Sequence, residues 1–269
     1  MLTGLLVYNP RSRAYFPMNS KMRNMASAHQ NKGIAAIVGV GAKLGRSVAR
    51  KFAQEGYTVA ILARDLGKLS RVADEIAREQ MSQVYAIRID CSDSRSVRDA
   101  FESVLSLGFV EVLVYNAYQP VSGSPINFAD LRIESFEKSV AVSSTGACLC
   151  AQQVLKGMVA RGRGTILFTG CGASLRGVPG YSDLCCGKFA LRALAQCLSK
   201  EFQNFGIHIA HIVIDGLIGP PRDRAPPRGT SSGEAIDPDA IAQTYWQLHV
   251  QERGAWTQEI DVCSSYYFN

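Results

Sequence analysis

The sequence predicts a single α/β domain: a parallel sheet of about seven strands, doubly wound, with helices on both faces. Three observations carry this. From Gly33 onward, short apolar runs of strand length alternate with segments whose apolar residues recur every three to four positions. The strand runs are apolar nearly throughout rather than at every second residue, as strands covered on both faces are. The first run leads into a glycine-rich turn that opens a helical segment.

In order, strands are expected at Ile34–Val38, Val59–Leu62, Val84–Ile89, Val112–Tyr115, Thr165–Thr169, His208–Ile214 and Glu259–Val262. Helical stripes are marked by Leu44, Val48 and Phe52, by Leu66, Leu69, Ala73 and Ile76, by Val97, Phe101 and Val104, and by Leu191, Leu194, Leu198 and Phe202. Asp237-Pro238 reads as an N-cap followed by proline at the first helical position. Strands joined through helices imply right-handed βαβ units. No internal repeat interrupts them, so residues 33–269 read as one nucleotide-binding Rossmann domain. Pro220 to Gly233, with four prolines and three arginines, reads as a mobile loop.

Composition narrows the class. The 269 residues are 47% hydrophobic and 19% charged, which excludes collagen-like, coiled-coil and wholly disordered chains. No run approaches the ~18 apolar residues of a membrane helix, so no membrane partner is expected. The net charge of +6 invites a nucleic-acid reading, but its distribution opposes one. Residues 1–24 hold Arg11, Arg13, Lys21 and Arg23 and no acid, and removing them leaves 25 basic against 23 acidic residues. Residues 1–32 therefore read as a basic N-terminal arm. It is either a transit peptide, directing the chain to a mitochondrion or chloroplast, or an extension ahead of a start at Met25, leaving a cytoplasmic protein. The eight cysteines form no CxxC pair, so a reducing compartment is expected. The four histidines do not cluster with them at ligand spacing, so no metal site is expected. His208 and His211 read as satisfied strand histidines.

The turn Gly39-Val40-Gly41-Ala42-Lys43-Leu44-Gly45 sits between strand and helix, where backbone amides and a helix N-terminus can face a pyrophosphate. Its six-residue step resembles the first motif of the short-chain dehydrogenase/reductase family, Gly-x-x-x-Gly-x-Gly, with Lys43 in place of the middle glycine. The resemblance continues in order. Asp90-Cys91 is similar to the family's adenine-contacting segment. Tyr115-Asn116-Ala117-Tyr118 resembles Asn-Asn-Ala-Gly, and Val178-Pro179-Gly180 and Gly187-Lys188-Phe189-Ala190 follow at the family's spacing. Asp215-Gly216-Leu217-Ile218 stands where the family has Pro-Gly-x-Val. The resemblance implies cofactor binding by Gly39, Gly41, Lys43, Leu44, Gly45, Asp90, Cys91, Asn116, Ala117, Gly216 and Ile218. Cofactor choice is read at the end of the second strand, Leu62-Ala63-Arg64-Asp65. There is no acid at 63 to bind a ribose 2′-OH, and a guanidinium at 64 suits a 2′-phosphate, with Lys43 as a second cation; the expected cofactor is NADP(H).

The resemblance also implies an Asn-Ser-Tyr-Lys catalytic set. Placed on this chain, only Lys188 is unchanged. Leu184 falls on the Tyr, Cys171 on the Ser and Ser143 on the Asn. Leucine cannot transfer a proton. Tyr181, on the same helical face as Lys188 if the helix reaches back that far, Tyr118 or Cys171 remain as sources. The expected set is Lys188, Tyr181, Cys171 and Ser143. The expected function is hydride transfer to a carbonyl, imine or activated double bond of a small molecule. The alternative is a catalytically silent NADP(H)-binding interaction module. A homo-oligomer is also implied, and the small residues Ser143, Ser144, Ala147 and Ala151 suit either helix contact between subunits or packing on the sheet.

Overall fold

The computed structural model describes residues 6–9, 14–17, 32–121, 124–221 and 235–264. The chain divides into two compact units, residues 1–32 and 33–269. In the first, strand β1 (Leu6–Asn9) pairs antiparallel with β2 (Ala14–Pro17). The sequence reading took this region as an arm without strands. Val7, Tyr8, Tyr15 and Phe16 are strand formers whose signal was outweighed by the run of basic residues around them.

The second unit is built on a seven-stranded sheet, β3 (Ile34–Val38), β4 (Thr58–Ala63), β5 (Val84–Arg88), β6 (Val110–Tyr115), β7 (Gly164–Cys171), β8 (Ile207–Asp215) and β9 (Glu259–Cys263). Their order is β5-β4-β3-β6-β7-β8-β9, and every neighbouring pair is parallel. The chain winds outward from β3 one way and returns to β6 to wind the other way. The order therefore reverses between β3 and β6, and a crevice opens there beyond the strands' carboxyl ends.

Helices α1 (Leu44–Gln54), α2 (Leu66–Gln80), α3 (Ser94–Leu107), α4 (Ile133–Val140), α5 (Gly146–Arg161), α6 (Ser182–Phe202) and α7 (Pro238–His249) cover the two faces. A π-helical turn, Ala141–Thr145, joins α4 to α5. One face packs on α3, α5 and α6 through Phe101, Ala147, Val154 and Leu191. The other packs on α1, α2 and α7 through Val48, Phe52, Ile76 and Tyr245. The expected stripes pack on the sheet, with Leu194, Leu198 and Phe202 only partly buried and Leu66, in the first turn of α2, 44% exposed. Asp237 caps α7 by accepting from the Asp239 N–H at 2.9 Å, with Pro238 at the first helical position. Ala147 and Ala151 lie in the core, so their small size serves packing on the sheet rather than contact between subunits. Most of the expected 220–233 loop lies outside the described residues. Among the described residues no helix is long and apolar enough to cross a membrane.

Phe52 is fully buried and meets Tyr57 and Trp246 edge to face, at 5.6 and 5.7 Å between ring centroids. Phe52→Ala is expected to lower unfolding free energy by about 3–5 kcal/mol in a denaturant titration. A loss below about 1 kcal/mol would show that this face repacks around the gap.

Candidate functional site

The crevice is shaped by glycines. Gly39 follows β3 with φ +88°, a left-handed conformation that glycine takes without strain, while Lys43 keeps a negative φ of −112°. A Cβ on Gly39 would lie 2.4 Å from the Ala117 nitrogen, so the turns after β3 and β6 touch. Asn116 seals this contact: its Nδ2 donates to Gly39 O at 2.8 Å and its backbone N–H to Val38 O at 2.8 Å. Gly45 lets the start of α1 pack on the turn, since a Cβ there would lie 2.8 Å from Val40 Cα. Gly41 differs from both. Nothing stands within 4 Å of the position its Cβ would take, so its backbone lies open to whatever enters.

A cavity of about 170 Å³ lies there, lined by Gly39, Val40 and Gly41 from the first turn, Ala63 and Arg64 from the end of β4, and Ile89, Asp90 and Cys91 beyond β5. Asn116, Ala117, Tyr118 and Val142 complete it. Two larger cavities, about 310 and 400 Å³, lie elsewhere and touch none of these residues. Asp90 accepts from the Ser92 N–H at 3.0 Å and its hydroxyl at 2.7 Å, and these bonds hold its carboxyl below the usual range. Asp65 caps α2 by accepting from the Lys68 N–H at 3.0 Å and pairs with the Lys68 ammonium at 3.2 Å. Arg64, exposed beside the cavity, forms no ion pair among the described residues.

Two expected cofactor residues have other occupations. Leu44 turns its side chain into the core, leaving only its backbone at the turn. Lys43 donates its ammonium to Ile218 O at 2.6 Å, tying the first turn to the segment after β8. The structure thus does not place it beside Arg64 as a second free cation. Gly216 (φ +154°) and Ile218 do not line the cavity, and Ile218 forms a parallel bridge with Ile236. The open backbone at Gly41, the free guanidinium at Arg64 and the fixed carboxylate of Asp90 fit a dinucleotide lying along the strand ends.

The residues expected to carry catalysis lie apart from this cavity. Lys188, 5% exposed, donates to Thr169 O at 2.8 Å. Burial pushes its pKa down, and Cys171 at the end of β7 opposes this in part. The Cys171 N–H donates to Ser174 Oγ at 3.2 Å. Ser143, in the π turn, is fully buried with its hydroxyl unpartnered, and a Cβ on Gly187 would lie 2.9 Å from its Cβ. Leu184 is half-buried, one turn ahead of Lys188. Tyr181 does not share a helical face with Lys188, because α6 begins at Ser182 and Tyr181 is its cap at φ −131°, ψ 35°. Pro179 and Gly180 (φ +82°) stop the helix from reaching further back. Tyr118, 55% exposed, stands at the cavity mouth.

A cluster absent from the sequence reading lies behind Lys188. His211 Nδ1 is 2.9 Å from Glu259 Oε2, and Arg192 donates to both Glu259 oxygens at 2.7 Å. Among the described residues His211 is bonded through Nδ1, and its buried Nε2 has no partner. The partners are 48 and 67 residues apart in sequence, so no local spacing joins them.

A parallel, doubly wound sheet with a glycine-lined crevice at its switch point defines a nucleotide-binding α/β protein. The family model for short chain dehydrogenases matches residues 33–219. A short-chain dehydrogenase/reductase of Armillaria gallica is 30% identical over 189 residues, covering 69% of this chain and 71% of that protein. The crystal structure of a short-chain dehydrogenase from Rhodopseudomonas palustris superposes with a TM-score of 0.74 at 29% identity, covering 86% of this chain and 97% of that one. An alcohol dehydrogenase from Thermococcus sibiricus, solved with 5-hydroxy-NADP, gives 0.76 at 25% identity over 87% and 98%. The chain belongs to the short-chain dehydrogenase family of oxidoreductases, which use nicotinamide cofactors.

Hydrogen bonds from Arg192, aided by His211 and opposed by burial, hold the Glu259 carboxyl below its ordinary 4.5. A depressed carboxylate contributes stability above the ordinary value and loses it as pH falls through the folded value. Wild type is therefore expected to be more stable than Glu259→Gln near neutrality, with the gap narrowing from about pH 5 to pH 3 in denaturant titrations. A pH-independent gap would show that Glu259 acts by packing alone.

Proposed function

We propose that the chain is an NADP(H)-dependent oxidoreductase that reduces a carbonyl, imine or activated double bond of a small molecule, with residues 33–269 as its cofactor domain. Bound at the crevice, NADPH supplies the hydride. The observation that carries the cofactor choice is Arg64: it lines the cavity without a carboxylate partner, Ala63 offers no acid, and Asp65 is already committed to Lys68. A free guanidinium recognises a ribose 2′-phosphate through paired N–H donors. The Thermococcus sibiricus relative, solved with 5-hydroxy-NADP, supports the same choice.

The remaining roles follow from chemistry. Gly39, Gly41 and Gly45 bring the backbone to the pyrophosphate, with Leu44 contributing its helix-start amide. Asp90 and Cys91 bound the adenine, and Asn116 and Ala117 hold the wall between the turns. Gly216 and Ile218 flank the nicotinamide side, where Lys43 links Ile218 to the first turn. Lys188 is buried with no ion-pair partner among the described residues, and ribose hydroxyls would give its remaining protons acceptors. Leu184 stands where the family's Tyr is expected, so the proton reaches the substrate from Tyr181, Tyr118 or water, with Cys171 and Ser143 as further polar groups of the site.

Fluorescence titration is expected to show tighter binding of NADPH than NADH. Arg64→Ala should weaken NADPH about tenfold, equivalent to about 1.4 kcal/mol, and leave NADH nearly unchanged. Tighter NADH binding would overturn the assignment. NADPH oxidation over a panel of quinones, aldehydes, ketones and imines, repeated with Tyr181→Phe and Tyr118→Phe, identifies the proton source. Binding without turnover across the panel would instead favour the silent module.

A further inference from the structure

His211 alternates along β8 with Ile207 and Ile209, which pack on the α6 face of the sheet. The charged groups that act on its ring are Lys188 and Arg192 from α6 and Glu259 from β9, the last in hydrogen-bond contact with Nδ1. From β7 comes Gly170, with Ser174 just beyond the strand. The absent side chain of Gly170 is what admits the imidazole. A Cβ there would lie 2.2 Å from His211 Nε2 and 2.9 Å from Ser174 Oγ. Thr169, the residue before Gly170, supplies the carbonyl that Lys188 Nζ holds at 2.8 Å. Lys188 and His211 thus converge on one short stretch of β7 from two different elements.

Their hydrogen-bonding needs match. Glu259, gripped by Arg192 through both oxygens, accepts from His211 Nδ1–H. That bond fixes the tautomer and leaves Nε2 with a lone pair. Nε2 is buried, with no donor offered to it by the described residues. Lys188 has three N–H donors, of which one is satisfied by Thr169 O. Glu259 is about one-third exposed, so the cluster runs from the buried lysine to solvent at the sheet edge.

We propose that His211 Nε2 is the proton acceptor for Lys188, and that His211 and Glu259 form the path by which protons pass between the Lys188 pocket and solvent beside β9. In the outward step a Lys188 Nζ–H bond breaks and an Nε2–H bond forms, leaving an amine and an imidazolium. The imidazolium then loses its Nδ1 proton to Glu259, and Glu259 passes it to water. The inward passage is the reverse and restores the starting tautomer. Use of this path in turnover rests on the oxidoreductase reading, whereas the coupling of the two groups is a property of the protein without cofactor.

The test is a pH titration of the full chain carrying 15N-labelled histidine, following the ring nitrogens of His211 by NMR. Wild type is expected to show the Nδ1–H tautomer and a midpoint below the ordinary ~6.5. Lys188→Met, which removes the facing cation, should raise that midpoint by about one pH unit, since coupled groups titrate together. Glu259→Gln should lower it. An Nε2–H tautomer in wild type overturns the proposal without any variant, and so does a midpoint unmoved within about 0.2 in a folded Lys188→Met. The pH–rate profile of His211→Gln then reads the path in turnover. If no substrate is reduced, the oxidoreductase reading fails while the NMR result still decides the coupling.

Discussion

The close approach of the turns after β3 and β6 is the constraint on which the carboxyl end of the sheet depends, because it places two backbone segments where no side chain fits. Gly39 takes the left-handed conformation and Asn116 stitches the two turns together with donors from its side chain and its backbone. With this seam closed, Gly41 is pushed outward to face open space, and the crevice lies between it and the ends of β4 and β5. A larger residue at 39 would part the turns and lose the crevice's wall along with its floor. The sheet makes the location unavoidable. Its strands are apolar on both faces, so polar chemistry is confined to their ends.

The exception is the polar island between β7, β8 and α6. Lys188, His211, Ser174 and Ser143 are each at least nine-tenths buried, in a layer otherwise filled by Phe168, Ile209 and Leu191. An isolated ammonium in such a place is penalised strongly. The Thr169 carbonyl offsets part of that penalty, and among the described residues no carboxylate pairs with the lysine. Glu259 acts at one remove, through His211. Burial lowers the lysine's pKa, a shift that a direct ion pair would oppose.

How much was legible in the sequence follows from the range of the interactions. The five inner strands show in the local pattern because they are buried nearly throughout, the edge strands β5 and β9 through shorter, partly exposed runs, and only the ends shift, as when β7 extends to include Cys171. The glycine turn was legible for a similar reason: strand, turn and helix are contiguous. Lys43 was not, because its partner Ile218 is 175 residues away. Tyr181 was misplaced by one element boundary, since the helix begins at Ser182, just after it, and Gly180 at positive φ precedes it. The His211–Glu259–Arg192 cluster was hidden most deeply. Each member reads locally as an ordinary strand or helix residue, and only the parallel pairing of His211 with Glu259 brings them together.

That pairing bears on how a member of this family can work with leucine at 184. A side chain that touches substrate and exchanges a proton must itself be resupplied, and the resupply route need not start on the substrate side. Near Lys188 stand a half-buried Leu184 and Cys171 at the end of β7, while an imidazole tied to a partly exposed carboxylate packs over Gly170 of the same strand. Packing alone would be served by an apolar chain at 188. A titratable amine buried on a backbone carbonyl, with an imidazole and a carboxylate on the neighbouring strands, is instead an arrangement suited to moving protons.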